Sequence, residues 1–272
     1  MSQITRAMEM VSAAKMRKAQ QRVMASRPYS ERLQSVIADL SALNIDTEEA
    51  GAFPLLEQRE VRRSAVILIT PDRGLTGALN SNIIRRASRY VLTEANVPVE
   101  IIAAGKKGRD FMVRTRQDVV AEFIGLGDNV GLAQIGPIAS VALEDFTSGK
   151  VDAVYVVFAR FVNTLAQVPE VRQILPIVKP EDVEAATDYI FEPSPAAVLQ
   201  SLLPRFVEIQ IYQAMLESIA SEHSARMVAM RNASQNARDL VSDLTLSYNK
   251  ARQALITREV SEIAAGANAL GG

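Results

Sequence analysis

A long stretch without glycine or proline fills most of the carboxyl-terminal quarter of this chain. It runs from Arg205 to Ala265, about 61 residues between Pro204 and Gly266. At a rise of roughly 1.5 Å per residue, a helix of that length measures about 90 Å, whereas the average globular helix has roughly 11–12 residues. A rod this long does not fit inside one compact domain. It must pair with a second helix and reach out to a partner, which favours a mechanical or adaptor role.

Apolar residues along this stretch recur every three or four positions, the period of one helical face. They form a narrow seam, as in a coiled coil: Ile209, Tyr212, Leu216, Ile219, His223, Met227, Met230, Ala233, Ala237, Leu240, Leu244, Tyr248, Ala251 and Leu255. The opposite face carries charges of both signs, which suit water or a polar partner. The seam therefore predicts a helix that pairs along one side and presents its other sides to other chains.

The amino-terminal segment is the natural mate of this helix. From Ser2 to Arg27 it also lacks glycine and proline, and helical spacing of apolar residues resumes after Pro28. We expect Pro28 to kink or interrupt the helix, because proline lacks a backbone N–H donor. Two terminal helices that both need a partner predict an antiparallel hairpin closed by the middle of the chain.

Charge in the amino-terminal segment is lopsided. Its basic residues are Arg6, Lys15, Arg17, Lys18, Arg22, Arg27 and Arg32, against the acidic Glu9 and Glu31. The formal net charge of the whole chain is only −1. The excess of positive charge is therefore local, and it predicts an acidic partner for this helix.

The middle of the chain alternates between two patterns. Short apolar runs predict strands at 65–69, 99–103 and 151–158, with helices around 80–94, 107–113 and 129–146 between them, and with further antiparallel edge strands at 164–168 and 189–191. Such alternation is typical of a parallel sheet covered on both faces. The predicted fold class is α/β, with a long antiparallel coiled coil of the terminal helices and a central Rossmann-like α/β domain. The predicted divisions are 1–59, 60–195 and 196–272.

Several kinds of chemical site are excluded or disfavoured. With no cysteine and one histidine, the chain has neither thiolate ligands nor a histidine metal cluster. A complete P-loop or dinucleotide fingerprint is absent, so the glycines of 105–108 and 125–131 are interpreted as turns and helix starts. We expect His223 to be packed or hydrogen-bonded on the seam, and Asp72 and Arg73 to pair within their loop or with a neighbouring chain.

Five segments carry a resemblance to a known family. They are Ile4–Arg17, Asp72–Asn80, Ala225–Met230, Tyr248–Gln253 and Ile256–Ala267. Together they resemble the gamma subunit of the F-type ATP synthase, and the resemblance extends from Ile4 to Leu270.

The resemblance implies a rotor shaft without catalytic residues and without a cofactor of its own. In this family the terminal helices form a coiled coil inside a ring of three alpha and three beta subunits. The α/β domain lies outside the ring, beside the epsilon subunit and on the membrane-embedded ring of c subunits. Rotation of the c ring turns the shaft, which drives the beta subunits through different nucleotide affinities. The implied location is peripheral to a membrane, on the cytoplasmic face of a bacterial plasma membrane or, in an organelle, on the matrix or stroma side.

The resemblance also implies which residues contact the ring. The expected interface residues are Met8, Arg226, Arg252, Gln253, Thr257 and Glu259. Met8 and Arg226 are expected near the acidic loops of the beta subunits, and the other four at the upper part of the ring. Each could instead be a solvated or intrahelical polar group.

This chain departs from the family pattern in two ways. Relatives usually begin before the segment that starts at Ile4, so Met1 resembles an internal or truncated start. If that start is native, the upper part of the long helix lacks a mate in this chain; an omitted segment or a misassigned start codon is the simpler explanation. Thr76 occupies a position where some relatives have cysteine, and a chain without cysteine is expected to be insensitive to thiol reductants.

Two other functions are compatible with a long basic hairpin on an α/β body. One is a nucleic-acid-binding arm, although no aromatic residues interleave with the basic ones. The other is a free-standing scaffold. Co-purification with alpha and beta chains distinguishes the rotor from both.

Overall fold

The computed structural model describes residues 2–42, 53–178, 192 and 194–270. Two long helices, α1 (Ser2–Ala42) and α5 (Pro195–Leu270), lie at the ends of the chain, on either side in sequence of a five-stranded sheet. The elements between them are β1 (Ser64–Ile69), α2 (Leu79–Arg89), β2 (Val99–Ala104), α3 (Lys106–Arg114), β3 (Asp118–Phe123), α4 (Leu132–Thr147), β4 (Ala153–Phe161) and β5 (Gln167–Leu175). The predicted fold class is confirmed.

The sheet has the strand order β3-β2-β1-β4-β5. The first four strands are parallel, and β5 runs antiparallel to β4. All six residues of β1 are buried, as expected for a central strand whose two faces are both covered by helices. The three strands predicted from apolar runs are confirmed, with bounds shifted by up to three residues.

The strand predictions failed at the two edges of the sheet. β3 was missed because it is a half-exposed edge strand that contains Asp118 and Glu122 and alternates between exposed and half-buried positions. An antiparallel edge strand was correctly expected after β4, but at 164–168, whereas β5 begins at Gln167. The predicted strand at 189–191 lies outside the described residues.

The two faces of the sheet have separate hydrophobic cores. The larger core joins one face of the sheet to α1, α4 and α5, with Ile67, Val156, Ile138, Leu40 and Val207 among its fully buried members. The smaller core joins the other face to α2 and α3. The helical pair is thus fixed to the α/β domain by a continuous apolar contact along one face of the sheet.

α1 and α5 pair in antiparallel fashion. Glu9 near the start of α1 forms an ion pair with Arg231, with 2.9 Å between its Oε1 and the arginine Nε. Tyr29, further along α1, lies close enough to Arg205, near the start of α5, to raise the pKa of that arginine. The predicted seam is buried at Met227 and Met230, but from residue 238 onward every described side chain of α5 is exposed. The described residues therefore pair over the lower part of the shaft only, as expected.

Both helices are longer than their proline positions predicted. α5 begins at Pro195, ten residues before the stretch that lacks glycine and proline, and it continues through Pro204 and Gly266. The Oγ atom of Ser194 accepts a hydrogen bond from the N–H of Ala197 at 3.2 Å, so a serine N-cap followed by proline marks the true start.

The predicted interruption of α1 at Pro28 is wrong, because the helix runs through that residue. Pro28 lies on the exposed side of α1. Water there can hydrogen-bond the carbonyl that proline leaves without a helical donor. Packing of the opposite side of α1 against α5 stabilises the helix across this position.

None of the described helices is long and apolar enough to cross a membrane.

Candidate partner-binding surface of the two helices

The upper shaft, defined as residues 238–270 of α5, contains four of the six predicted interface residues. Arg252, Gln253, Thr257 and Glu259 are all exposed. Among the described residues, the side chains of Arg252, Gln253 and Glu259 form no hydrogen bond or ion pair with this chain. The expected alternative of an intrahelical bond is therefore not formed, and these polar groups are available to a partner.

These four residues share a broad stripe with large apolar side chains. Spacings of three and four along a helix place residues on one face, and such spacings link Arg252 to Ile256, Glu259 and Ile263. Ile256 is 50% exposed, and Ile263 is 72% exposed. A stripe of exposed isoleucine with hydrogen-bonding neighbours is the composition of a protein interface rather than of a solvated face.

Exposed apolar residues continue down the upper shaft. They are Leu240, Val241, Leu244, Leu246, Tyr248, Leu255 and Val260. Soluble monomers rarely expose a contiguous apolar surface of this extent. The upper shaft therefore needs a cover that the described residues do not supply.

The other two predicted residues, Met8 and Arg226, line one groove between α1, α5 and the loop after β1. The groove has a volume of about 230 Å³. Its other lining residues are Val11, Ser12, Lys15, Arg73, Gly74 and Leu75. Its floor is apolar, and its described lining residues include three cations and no acidic residue, so it suits an acidic segment with an apolar anchor.

Arg226 is held firmly within the chain. Its Nη2 atom donates to the Glu222 carboxylate one turn earlier and, at 3.4 Å, to the carbonyl oxygen of Gly74. Only 11% of its side chain is exposed. The guanidinium thus has a fixed orientation at the edge of the groove, and its predicted contact with another chain stays a prediction.

A second cavity, of about 240 Å³, lies where the carboxyl ends of the parallel strands meet α5. Asp72 closes one side of it. The Oδ1 atom of Asp72 accepts a hydrogen bond from the N–H of Lys106 at 2.8 Å, and its Oδ2 accepts one from the N–H of Gly125 at 2.9 Å. The expected pairing of Asp72 within its own loop is wrong, because Asp72 ties together the loops that follow β1, β2 and β3.

His223 joins this cavity to the helical pair. Its side chain is 2% exposed, and its Nε2 atom lies 3.1 Å from Oδ1 of Asp128 in the loop between β3 and α4. The prediction of a packed, hydrogen-bonded histidine is confirmed. Burial lowers the pKa of the His223 imidazole, and the nearby Asp128 carboxylate only partly opposes this. The side chain is therefore neutral at neutral pH.

Asp128 also binds α1. Its Oδ2 atom lies 2.6 Å from Nζ of Lys15, and its carbonyl oxygen accepts a hydrogen bond from Arg22 at 3.2 Å. Partial burial acts to raise the pKa of Asp128, but the hydrogen bond from Lys15 and the neighbouring His223 outweigh it, and the pKa is lowered. Sequence reasoning missed Asp128, because 95 residues separate it from His223 and no local motif marks it.

Replacing Asp128 by asparagine should lower the stability of the folded chain at pH 7. The folded pKa of Asp128 is depressed, so its contribution is present above the unfolded value near 3.8 and is lost as pH falls through the folded value. The side chain is 41% exposed, so solvent screening limits the loss to about 1 kcal/mol or less. Urea denaturation from pH 7 to pH 3 measures it. The difference in the free energy of unfolding between this variant and the wild-type chain should shrink toward pH 3. The control Asp243→Asn, on the exposed shaft, should cause no difference. A difference that stays constant with pH would contradict the assignment.

Comparison with known proteins identifies the family. A sequence model described as ATP synthase matches residues 1–270. The ATP synthase gamma chain of Roseiflexus castenholzii is 57% identical over 99% of this chain and 93% of its own length. That of Chloroflexus aurantiacus is 53% identical over the same shares, and that of Dehalococcoides mccartyi strain 195 is 51% identical over 99% of this chain and 94% of its own.

Solved structures show the same fold at lower identity. The rotor of the Euglena gracilis mitochondrial ATP synthase gives a TM-score of 0.62 at 23% identity, over 94% of this chain and 93% of the matched one. A chain of the central stalk and c-ring structure from Tetrahymena thermophila gives 0.61 at 23% identity, over 85% and 99%. The match of the family model over almost the whole sequence, and identities above one half to named relatives, lead to one conclusion: this chain belongs to the ATP synthase gamma-chain family.

Proposed function

We propose that this gamma chain is the central rotor shaft of an ATP synthase and that its upper shaft contacts the ring of alpha and beta subunits. The observation that carries the proposal is the exposed stripe around Arg252, Ile256 and Ile263, whose apolar area needs a cover. The family supplies that cover, because the shaft of a gamma chain stands inside the ring. The nucleic-acid and scaffold alternatives are not favoured by the family assignment.

A single rod can treat identical subunits differently only through its asymmetry. Each of the three beta subunits meets a different side of α5, and a conformational equilibrium shifts only as far as the shaft binds one conformer more tightly than another. One side of the upper shaft carries the stripe described above, with arginine, glutamate and isoleucine. Another side carries serines and alanines. Rotation of this pattern past each subunit provides the differential contacts that couple c-ring rotation to ATP synthesis or hydrolysis.

The groove beside Met8 and Arg226 is the proposed second contact with a beta subunit. Its cations are Arg73, Lys15, which is paired with Asp128, and Arg226, which is paired with Glu222. Together with the apolar floor, they favour an acidic segment that carries a hydrophobic anchor. About 39 Å separates Arg226 from Arg252 along α5 at 1.5 Å per residue. The two contacts would therefore lie at different heights of the ring.

The remaining assignments concern the lower part of the molecule. We infer that the α/β domain binds the epsilon subunit and the c ring and that the chain itself is not catalytic. We also infer that the complex lies at the cytoplasmic face of a bacterial plasma membrane. The division into 1–59, 60–195 and 196–272 separates the helical parts from the α/β domain in the same scheme.

Replacing Arg252 and Gln253 together by alanine tests the upper contact. Both side chains are exposed, so the fold should be unchanged. Loss of about 1.4 kcal/mol of interface free energy weakens binding by a factor of roughly ten. We therefore expect a roughly tenfold decrease in proton-driven ATP synthesis by the reconstituted complex.

A matched control uses the opposite face of the same helix. Arg258→Ala combined with Ser261→Ala also removes one cation and one hydroxyl from exposed positions of the upper shaft. We expect this control to lower synthesis less than about twofold, since surface pairs such as that of Arg258 with Glu262 contribute little. Equal effects of the two double substitutions, or none from the first, would contradict the proposed contact.

A further inference from the structure

The hydrogen bonds of His223 fix its protonation state. This is the sole histidine of the chain. Its Nδ1 atom lies 3.4 Å from Nη1 of Arg226, and its Nε2 atom faces the Asp128 carboxylate. A guanidinium only donates hydrogen bonds, so Nδ1 must accept, and a carboxylate only accepts, so Nε2 must carry the proton. The geometry thus requires the neutral imidazole with its hydrogen on Nε2.

The contacts form a line from α1 to the groove. Lys15 binds Asp128, Asp128 accepts from His223, and His223 accepts from Arg226. The far side of the same guanidinium is held by Glu222 and by the carbonyl of Gly74. Donor and acceptor alternate without conflict along this line, and each group restrains the next.

We propose that His223 and Asp128 are positioning residues for Arg226, and that they hold its guanidinium at the edge of the groove that receives an acidic segment of the beta subunit. The inference rests on the proposed function, in which Arg226 contacts that subunit. Neither residue lines the groove itself, since the groove residues include Arg226 and Lys15 but not the two groups between them. Their effect is therefore exerted through Arg226.

Protonation of His223 would reverse the contact. The Nδ1 atom would then carry a hydrogen and face the cationic guanidinium. Two donors would face each other, and two positive charges would repel. The charged groups that face the imidazole are Asp128 from the loop before α4, Lys15 from α1, and Glu222 and Arg226 from α5. Acid should therefore break the contact between Nδ1 of His223 and Nη1 of Arg226, while Nη2 of the same guanidinium stays bound to Glu222 and Gly74.

Glutamine at position 223 reproduces the neutral pattern without titration. Its amide N–H can donate to Asp128, and its amide oxygen can accept from Arg226. Leucine fills similar space but provides neither bond. The pair His223→Gln and His223→Leu thus separates hydrogen-bonding polarity from packing.

The first experiment measures the position of Arg226 in the full chain. The guanidinium N–H signals of Arg226 are followed by NMR while pH is lowered from 8 to 5. We expect them to shift with a histidine titration in the wild-type chain and to stay constant in His223→Gln. Signals that move equally in both chains would overturn the positioning role.

The second experiment measures coupling in the complex reconstituted with alpha and beta subunits and the c ring. Arg226→Ala and His223→Leu are each expected to lower ATP-driven proton pumping per ATP hydrolysed by about threefold, with no further loss when combined, because residues in one network are not additive. His223→Gln should match the wild type at pH 8 and exceed it at acid pH. The control on the same two helices is Arg231→Ala, which removes the ion pair between Arg231 and Glu9.

The outcomes separate the two ideas. If the Arg226→Ala complex pumps as many protons per ATP hydrolysed as the wild type, the proposed contact is refuted. The NMR titration still reports whether His223 holds the guanidinium. If Arg226→Ala lowers proton pumping and His223→Leu lowers it further in the double variant, by an additive amount, only the positioning role is overturned. If His223→Leu does not fold, the comparison of His223→Gln with the wild type across pH decides the question.

Discussion

Proline in place of Ala251 should abolish most proton-driven ATP synthesis while leaving the α/β domain folded. Ala251 lies in the middle of the upper shaft and is exposed. Proline at an interior helical position removes one hydrogen bond and collides with the carbonyl four residues earlier, at a cost of about 3 kcal/mol. The sheet and its two cores lie well below this position, so they should be unaffected.

The expected loss follows from the geometry of a bent rod. A kink of about 20° at residue 251 displaces the end of α5, nearly 30 Å further along, by roughly 10 Å. Interface contacts depend on sub-ångström fit, so synthesis should fall more than about tenfold, which corresponds to a barrier change above 1.36 kcal/mol.

Two measurements accompany this variant. Circular dichroism and urea denaturation of the chain alone should show a nearly intact α/β domain. The control is Ala251→Ser, which keeps the backbone N–H and should keep synthesis within about twofold, since serine lowers helix propensity by less than roughly 0.7 kcal/mol. Wild-type synthesis by the proline variant would show that a continuous upper helix is not needed to transmit torque.

Replacing Gly105 by alanine should prevent stable folding. Gly105 ends β2 and caps α3 with a φ of 122°, a conformation that residues with side chains rarely adopt. A Cβ atom there would lie 1.8 Å from the carbonyl oxygen of Thr70, which is backbone of the neighbouring loop and cannot rotate away. Strain and steric collision together should cost more than about 4 kcal/mol, a large part of the stability of a typical domain.

Gly127→Ala is the matched control for this variant. Gly127 also has a left-handed φ, of 74°, but no atom of the described part of the chain lies within 4 Å of a Cβ built on it. It should lose only about 1–2 kcal/mol, the usual cost of that conformation for an ordinary residue. The yield of soluble chain and the midpoint of urea denaturation measure both variants. Similar midpoints would mean that the loop of Thr70 moves aside and that the close approach is not obligatory.

The buried parts of the fold were predictable from sequence because burial leaves a strong pattern. The β1 run is apolar throughout and was assigned within one residue. β3 was not predicted, because an edge strand tolerates Asp118 and Glu122 at its exposed positions. The continuity of α1 at Pro28 was mispredicted for another reason. Tertiary packing carries α1 through Pro28 and α5 through Pro204, so local propensity was overridden by contacts that only the fold supplies.

The candidate site divides in the same way. The pairing of the lower seam and the packing of His223 followed from helical periodicity. Its partner Asp128 did not, because the loop before α4 reaches the helical pair only after the sheet has formed. The residues Arg252, Gln253, Thr257 and Glu259 were selected by resemblance to the gamma-chain family, and physical periodicity alone does not distinguish them from other exposed positions of α5.

Asp72 gives the α/β domain a built-in anion. Open parallel sheets bind ligands at the carboxyl ends of their strands, often with phosphate on the N–H groups that begin a helix. Here a carboxylate of the same chain already occupies the N–H groups of Lys106 and Gly125. A tethered group competes at an effective concentration that free solutes rarely reach. These two N–H groups are therefore already occupied, and a phosphate group would have to displace Asp72 to bind them.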